Sequence, residues 1–199
     1  MARTQAPDFE QRRVAIVDHA ARLFAREGFR GASIADLAAA CATSKSLIYH
    51  YYPSKEDILH AVMRSHLDDL SAEVAEVTAR GGAPEVQLRA LVHGFMRHYL
   101  GAADRQKVLL NELDNLPPPR RAEIVAEQKQ VVDAVTRLLR ALDPALARPQ
   151  ARAKAMLLFG MINWTHTWFD PAGPVSPDAL ADMALGMVLP GQASNSRSG

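Results

Sequence analysis

Two short helices that follow each other closely constrain this chain more than any other feature. In residues 43–52, Thr-Ser-Lys-Ser-Leu-Ile-Tyr-His-Tyr-Tyr, Ser44 can cap a helix, and apolar side chains such as Ile48 give that helix a buried edge. Residues 33–41 form an earlier helix with its own Ser cap, an acid in its first turn and a face of small side chains. Two such helices in succession predict a helix-turn-helix.

Three segments of the sequence resemble the TetR family of bacterial transcriptional regulators. They are Ala-Ala-Arg-Leu-Phe-Ala-Arg-Glu-Gly-Phe at 20–29, Ser-Ile-Ala-Asp-Leu-Ala at 33–38, and Ser44-Lys45 with Tyr-His-Tyr-Tyr-Pro-Ser-Lys-Glu at 49–56. The matches keep the fixed spacing of the family. The resemblance implies a repressor that binds double-stranded operator DNA as a homodimer, is released by a small effector, and is not an enzyme.

Three positions depart from the family pattern. Ala42 stands where the family usually has a turn Gly, Thr43 where it often has an aliphatic residue, and Ser46 where Gly is common. Because Gly adopts a positive φ without cost, we expect Ala42 to strain the turn. Thr43 and Ser46 add hydroxyl groups near the DNA, so they bear on the operator sequence rather than on the fold.

Composition and apolar spacing predict an all-α fold. Hydrophobic residues make up 48% of the chain and aromatic residues only 6%, and good helix formers are abundant. About nine helices are expected from the 3.6-residue period. The predicted organisation is a three-helix helix-turn-helix head at residues 1–53, a helical ligand-binding and dimerisation body at 54–190, and a flexible tail at 191–199.

Gly and Pro breaks set the expected helix bounds. The predicted helices are 9–27, 33–41, 43–52, 54–80, 84–100, 103–116, 120–142, 149–169 and 177–189. Residues 1–8 are expected to be disordered. The last two helices carry more apolar surface than one packed face requires, which predicts dimerisation through them. The residues expected at that interface are Leu157, Phe159, Met161, Leu180, Met183 and Met187.

Charge and targeting signals limit the other possibilities. A net charge of +1 is far from that of a bulk nucleic-acid binder, so the placement of Lys and Arg around the predicted recognition helix matters more than their number. No apolar run approaches the roughly 18 residues of a membrane span, and the start of the chain lacks a signal peptide. With the single Cys41, these features predict a cytoplasmic protein without an internal disulfide.

The resemblance also implies a DNA-binding set around the second short helix. Phosphate contacts are expected for Thr43, Ser44, Lys45, Tyr49, Tyr51 and Lys55. Base-edge contacts are expected for Ser46, Leu47 and His50, because a short hydroxyl, an apolar side chain or an imidazole can read a base edge. Tyr52 is assigned to the local core instead.

A weaker resemblance concerns the body. Residues 111–121 and 161–169 are similar to segments of the TetR subgroup that senses acyl-coenzyme A thioesters. An apolar pocket would hold the acyl group. One of several basic residues would meet the coenzyme's phosphates: Arg97, Arg105, Lys107, Arg120 or Arg121. The predicted effector-binding residues are Met63, Leu67, Phe95, Met96, Tyr99, Asn111, Asn115, Arg120, Asn163 and Trp164. Each polar residue among them equally fits an ordinary core or surface position.

Two alternatives remain open at this point. The effector of a TetR-type repressor can instead be a lipophilic drug, with an efflux pump as the regulated gene product. A helical metal-dependent enzyme is the other class, but its di-metal site needs paired Glu-x-x-His motifs, and the chain has only one similar motif, Asp57-x-x-His60. The sequence therefore predicts no metal, no cofactor and no catalytic residues.

Overall fold

A computed structural model describes residues 5–189, and within that range the chain forms nine α-helices and no strand. The helices are α1 (Gln5–Gly31), α2 (Ile34–Ala40), α3 (Lys45–Tyr51), α4 (Lys55–Arg80), α5 (Pro84–Gly101), α6 (Ala103–Asn111), α7 (Pro118–Leu142), α8 (Arg148–Asn163) and α9 (Pro177–Val188). The predicted all-α fold is confirmed. No helix of the described range is long and apolar enough to cross a membrane. The predicted tail at 191–199 lies outside the described residues.

The helices group into two units, and the division passes through α4 and α7. The first unit contains the chain up to Asp69 together with Ala102–Gln128, and the second contains Leu70–Gly101 and the chain from Lys129 onward. Helices α4 and α7 therefore each contribute residues to both units. The start of α4, α6 and the start of α7 group by packing with α1, α2 and α3, and the predicted domain boundary after residue 53 stays a prediction.

Helix α1 supplies an apolar stripe to the first unit and is interrupted at Gly28. The buried residues of the stripe are Ile16, Val17, Ala20, Ala21, Leu23, Phe24 and Ala25. Gly28 has φ 73° and ψ 158°, which ends the regular helix as expected of a Gly cap. Helix α1 begins at Gln5, before the predicted start at Phe9, so residues 5–8 are helical rather than disordered.

Side-chain caps fix the starts of α2 and α3. Ser33 and Asp36 form a reciprocal capping box, and the Ser44 hydroxyl accepts a hydrogen bond from the Leu47 amide at 3.2 Å. Between the two helices Ala42 has φ 49°, the left-handed conformation that the missing Gly predicts. The helix-turn-helix therefore forms with Ala at its strained position.

The start of α4 is fixed by a second reciprocal pair. The Ser54 hydroxyl donates to the Asp57 carboxylate at 2.7 Å, and the Asp57 amide donates back to the Ser54 hydroxyl at 3.0 Å. Within the first unit α4 then buries Ile58, Leu59, Val62, Met63 and Leu67. Buried His66 contacts Gln106 of α6 at 2.6 Å, so α6 is held on α4 by a polar contact as well.

Helix α6 is shorter than predicted. It ends at Asn111, and a 3-10 turn at Leu113–Asn115 replaces the expected continuation to 116. The side chain of Asn115 explains the break, because it donates to Glu112 at 2.7 Å and accepts from Arg30 of α1 at 3.2 Å. Side chains of this kind compete with helical hydrogen bonding.

The second unit packs α5, α8 and α9 around aromatic and small side chains. Phe95 is fully buried, and its ring lies 5.7 Å from that of Phe159 and 6.4 Å from that of Tyr99. Small residues such as Ala155 and Ala181, both 0% exposed, allow the helices to approach closely. The core of this unit therefore lies on the inner faces of these three helices.

Helix α8 also ends earlier than predicted. Asn163 is its last residue, and a 3-10 turn at Trp164–Thr167 follows, whereas the sequence predicted a helix to 169. Thr165 and Thr167 each donate to the carbonyl three residues earlier, Ile162 and Trp164, at 2.7 Å. Hydrogen bonds from a threonine hydroxyl to a carbonyl three residues earlier compete with regular helical bonding, so they favour the tighter turn.

Replacing Ala42 with Gly should stabilise the protein. The substitution removes about 1–2 kcal/mol of strain from the folded state. Gly also makes the unfolded chain more flexible, which costs roughly 0.4–1 kcal/mol of stability. We therefore expect the free energy of unfolding to rise by roughly 0.5–1 kcal/mol. Urea unfolding of Ala42→Gly measures it. Ala126→Gly, at an exposed position inside α7, is the matched control and should lose about 1 kcal/mol. A loss of stability in both variants would contradict the assigned strain.

Candidate functional site

Helix α3 buries one side and exposes the other. Ile48 is 0% exposed and anchors the helix in the first unit. The predicted DNA-binding residues all reach the surface: Ser44, Lys45, Ser46, Tyr49 and His50 are exposed, and Thr43, Leu47, Tyr51 and Lys55 are half-buried. This arrangement presents hydroxyl, ammonium and imidazole groups together, which are the groups that contact phosphates and base edges. Their contacts with DNA stay a prediction.

Tyr52 closes the C-terminal end of α3 and is 5% exposed, which agrees with its assignment to the local core. Its hydroxyl donates to the Arg13 carbonyl at 3.4 Å, and the Arg13 guanidinium lies 5.5 Å from the ring centroid. Burial raises the pKa of the Tyr52 phenol, with Arg13 acting in the opposite direction. Tyr52 therefore joins α1 to the end of α3 as a neutral donor.

The Lys55 ammonium is placed at the start of α4 by an aromatic ring. Its Nζ lies 4.3 Å from the centroid of Phe29, a cation–π distance. Phe29 itself is buried against Phe24, at 5.5 Å between centroids. The contact holds the lysine of the first turn near the end of the recognition helix, where a phosphate contact is predicted.

Phe9 lies against the recognition helix, although it was expected only as the first residue of the first helix and in no site. Its ring centroid is 4.6 Å from that of Tyr51 and 6.3 Å from that of His50. The rings of His50 and Tyr51 are 5.5 Å apart and nearly perpendicular. The sequence signal was weak, because a lone aromatic residue at a helix start has no local partner to identify it.

Arg120 is engaged by protein groups in the first unit. Its guanidinium forms an ion pair with Asp57 and donates to His60 Nδ1 at 2.9 Å. Arg120 was one of the basic residues predicted to meet the phosphates of an effector. A phosphate would have to compete here with the Asp57 carboxylate, so the structure gives Arg120 a role in joining α7 to α4.

His60 lies between Arg120 and a carboxylate. Its Nε2 is 3.1 Å from Glu123 Oε2, and its Nδ1 accepts from Arg120. Because Nδ1 accepts from Arg120, the neutral imidazole carries its proton on Nε2, which is close to Glu123 but has no acceptor in hydrogen-bonding geometry among the described residues. Burial, and then the Arg120 charge, lower the pKa of His60, and Glu123 partly offsets them. His60 is therefore held neutral.

The ten predicted effector residues divide between the two units. Met63, Leu67, Asn111, Asn115 and Arg120 belong to the first, and Phe95, Met96, Tyr99, Asn163 and Trp164 belong to the second. Most of the apolar members are packed: Met63, Leu67, Phe95, Met96 and Tyr99 are each at most 4% exposed. Asn115 bonds to Arg30 and Glu112, and Asn111 is exposed. Burial raises the pKa of Tyr99 strongly, so its phenol stays neutral.

An open apolar groove of about 610 Å³ lies within the second unit. Met96 and Trp164 of the predicted effector set line it. The rest of its lining comes from α8, the 3-10 turn, the residue that follows the turn, and α9: Met156, Leu157, Gly160, Met161, Ile162, Thr165, Trp168, Leu180, Met183, Ala184 and Met187. Leu157 is 66% exposed and Met187 is 75% exposed. Five of these residues are those predicted to form a dimer interface.

Phe159 was predicted at the same interface and does not lie there. It is 6% exposed and packs on Phe95 inside the second unit. The period of α8 explains the difference, because Phe159 shares a face with the buried residues Ala151, Ala155 and Ile162. Leu157 and Met161 lie off that face.

Ionisable side chains of the second unit form ion pairs. His93 of α5 contacts Asp178 of α9 at 3.0 Å and Asp182 at 2.8 Å, and Arg89 also pairs with Asp182. His93 and Arg89 lower the pKa of the Asp182 carboxyl. Among the residues that the structure describes, no group of three or more His, Cys, Asp or Glu side chains could hold a metal ion.

Two family models match the chain. The model of bacterial regulatory proteins of the tetR family matches residues 16–62, and the model of the tetracyclin repressor-like C-terminal domain matches residues 81–192. The first covers α2, α3 and parts of α1 and α4, and the second covers α5 to α9.

Individual proteins are similar over nearly the whole chain. A TetR-family regulator from Bordetella parapertussis has 39% identity, covers 90% of this chain and 95% of its own, and has a TM-score of 0.85. AibR, solved with isovaleryl coenzyme A and operator DNA, has 30% identity, 88% and 97% coverage and a TM-score of 0.78. The transcriptional repressor KstR2 from Rhodococcus jostii is 28% identical, with 92% of each chain covered.

The neutral state of His60 predicts a pH dependence of stability. Because the folded pKa is lowered, the unfolded state binds more protons between the folded and unfolded pKa values. The contribution of His60 is present above the unfolded pKa of about 6.5 and is lost as the pH falls through the folded pKa. Urea unfolding between pH 5 and 8 should therefore show a steeper loss below pH about 6.5 in the wild type than in His60→Asn.

Arg120→Gln tests the cause of this pH dependence. Since the Arg120 charge lowers the pKa of His60, its removal should also reduce the loss of stability toward acid. Equal slopes in the wild type and both variants would contradict the role assigned to His60.

Proposed function

Because the chain belongs to the TetR family of bacterial transcriptional regulators, we propose that it binds a near-palindromic operator through α3 and is released by an acyl-coenzyme A thioester. The protein is a DNA-binding transcriptional repressor and not an enzyme, and it is dimeric as a member of this family. The observation that carries the DNA-binding part is the exposed row of hydroxyl, ammonium and imidazole groups on α3.

Phosphate and base contacts fall to different side chains. Lys45 on α3 and Lys55 on α4 carry the charges that suit the phosphate backbone, and the hydroxyl groups of α3 add neutral donors. Ser46, Leu47 and His50 lie within one stretch of α3 and are the candidates for reading base edges. A dimer presents this set twice, so the operator has related half-sites in successive major grooves.

The dimer interface that we propose is the exposed apolar face of α8 and α9. It contains Leu157, Met183 and Met187, which are 66%, 54% and 75% exposed in the single chain. The neighbouring Trp164 and Trp168 are 64% and 60% exposed. A second copy of the chain is the occupant that fits, because the family is dimeric and the face is continuous across two helices.

The effector class rests on similarity and on the chemistry of the second unit. AibR binds isovaleryl coenzyme A and is 30% identical over most of both chains. The second unit of this protein is rich in Phe, Tyr, Met and Trp side chains that suit an acyl group. A catabolic operon for acyl thioesters is the corresponding target. The alternative is a lipophilic drug as the effector, with an efflux pump as the regulated gene product. Binding of acyl-coenzyme A thioesters or of hydrophobic cations distinguishes the two.

We propose that α4 and α7 transmit the effector signal. Each helix continues from the first unit into the second. The first turn of α4 carries Lys55, for which a phosphate contact is predicted, and the first turn of α7 carries Arg120. The Arg120–Asp57 ion pair holds these starts together. Displacement of either helix by an effector then moves Lys55 relative to the operator. Roughly 1–3 kcal/mol of coupling would loosen the operator about 5- to 150-fold.

Substitutions on α3 and α4 should separate the two kinds of DNA contact. Lys45→Ala or Lys55→Ala should weaken binding to all sequences alike and reduce the salt slope by about 2 per dimer, one for each lost phosphate contact. His50→Ala should change base preference and leave the slope unchanged. Fluorescence anisotropy at several salt concentrations measures the affinity for each sequence and the salt slope. Lys129→Ala, at an exposed position of α7, is the control. An unchanged slope for Lys55→Ala would show that its assigned role is wrong.

Charge placed on the α8–α9 face should prevent dimerisation. Leu157→Asp combined with Met187→Asp would bury carboxylates against each other at a two-fold interface, which desolvation and repulsion oppose. Sedimentation of this double variant at micromolar concentration should show a monomer. Fluorescence anisotropy should show that the monomer binds the operator weakly. Val86→Asp, at a position of α5 that is 63% exposed, should remain dimeric. A dimer in both variants would place the interface elsewhere.

The effector is tested by a titration with and without operator DNA. Isovaleryl, medium-chain, long-chain and aromatic acyl-coenzyme A thioesters should include one that binds about 5- to 150-fold more weakly to the operator complex, since coupling is reciprocal. Free coenzyme A is the control for the nucleotide part. Equal affinity in both states for every thioester that binds would overturn the release mechanism. Binding of hydrophobic cations alone would favour the efflux-pump alternative.

A further inference from the structure

The first turns of α1 contact the C-terminal end of the recognition helix through aromatic rings. Phe9 is tilted by 39° against Tyr51 at 4.6 Å and is nearly perpendicular to His50 at 6.3 Å, with an interplanar angle of 88°. Further along α1, Arg13 lies over Tyr52. Three consecutive residues at the end of α3 therefore have partners on α1.

Such contacts matter because α3 is short. It has seven residues, and Ile48 is its one buried residue. A helix of this length is not stable alone, so its geometry depends on what it packs against. Ser44 and the Ala42 turn fix the N-terminal end, whereas the aromatic contacts with α1 fix the C-terminal end, where His50 lies.

The contact restricts the His50 ring in particular. His50 is exposed, and an exposed imidazole samples several rotamers unless a neighbour limits it. Phe9 lies on one side of it, edge to face, and Tyr51 on another, also nearly perpendicular at 80°. Aromatic pairs prefer such edge-to-face arrangements. These two rings therefore limit the orientations open to the imidazole.

We propose that Phe9 is a positioning residue for operator recognition: its ring holds the His50 imidazole in the orientation that reads a base edge. The inference rests on the proposed base-reading role of His50. Phe9 precedes residues 16–62, which match the family's N-terminal model, so the sequence preference of this repressor depends on a side chain outside that region. Phe9 acts through His50 and Tyr51 and need not touch DNA.

The test compares base-preference profiles of full-length dimers. An operator is first selected by the wild type from random duplex DNA, and every single-base variant of it is then measured with the wild type, Phe9→Ala, His50→Ala and the double variant. A base pair read by one side chain changes affinity by about 5- to 150-fold when it is altered. Phe9→Ala should reduce this discrimination at the base pairs that His50→Ala affects, and the double variant should reduce it no further.

Two controls separate positioning from loss of structure. Phe9→Tyr keeps the ring and should retain the wild-type base-preference profile. Val14→Ala truncates an exposed apolar side chain of the same helix and should also leave that profile unchanged. The salt slope of Phe9→Ala should equal that of the wild type, because the phosphate contacts remain. In free protein, NMR should show shifted His50 ring protons in Phe9→Ala, as the neighbouring ring current is lost.

The possible failures are distinct. If His50→Ala leaves the profile unchanged, the base-reading role of His50 is overturned, and the positioning role of Phe9 with it. If His50→Ala changes the profile and Phe9→Ala does not, only the positioning role is overturned. A uniform weakening of all sequences by Phe9→Ala, with unchanged His50 resonances, would show a purely structural contribution and would also overturn it.

Discussion

The first unit depends on one carboxylate, that of Asp57. One of its oxygens accepts from the Ser54 hydroxyl at 2.7 Å in the capping box of α4, and the other pairs with Arg120 of α7. The Asp57 side chain is only 18% exposed, so loss of Arg120 would leave a largely desolvated charge without its partner. The same group thus fixes where α4 begins after the recognition helix and where α7 is held. Asp57 therefore links the start of α7 to the turn of α4 that carries Lys55.

Sequence reasoning succeeded where the determining interaction is local. Ser33, Ser44 and Ser54 each bond to a residue three positions later, so their caps can be recognised in a short window. The positive φ of Ala42 follows in the same way from the turn that must join α2 to α3. Interactions across the chain could not be recognised. Asn115 ends α6 by bonding to Arg30, 85 residues away, and Arg120 meets His60, 60 residues away.

The apolar residues of α8 show a second limit of the sequence. Their number indicated more apolar surface than one packed face needs, and the structure shows one buried face and one exposed apolar face. The assignment of single residues to a face required the helical phase. Phe159 belongs with Ala151 and Ala155 on the face that packs inside the unit, whereas Leu157 points outward. The 3.6-residue period contains this information once the start of α8 is known. The early end at Asn163 changes the position of Trp164 and Trp168, because a 3-10 turn rotates side chains by a different angle per residue.

The recognition helix α3 depends both on local interactions and on contacts with residues far away in the sequence. Its existence follows from the local cap and from Ile48, but the orientation of its C-terminal end depends on Phe9 and Arg13, which come about 40 positions earlier on α1. The surface on which DNA contacts are predicted is therefore shaped partly by contacts within the protein, among them that of Phe9, whose ring has no hydrogen-bonding group. Since a base edge is read only when donor and acceptor are well aligned, we expect a small change in such a supporting contact to alter operator preference while the phosphate contacts and the fold persist.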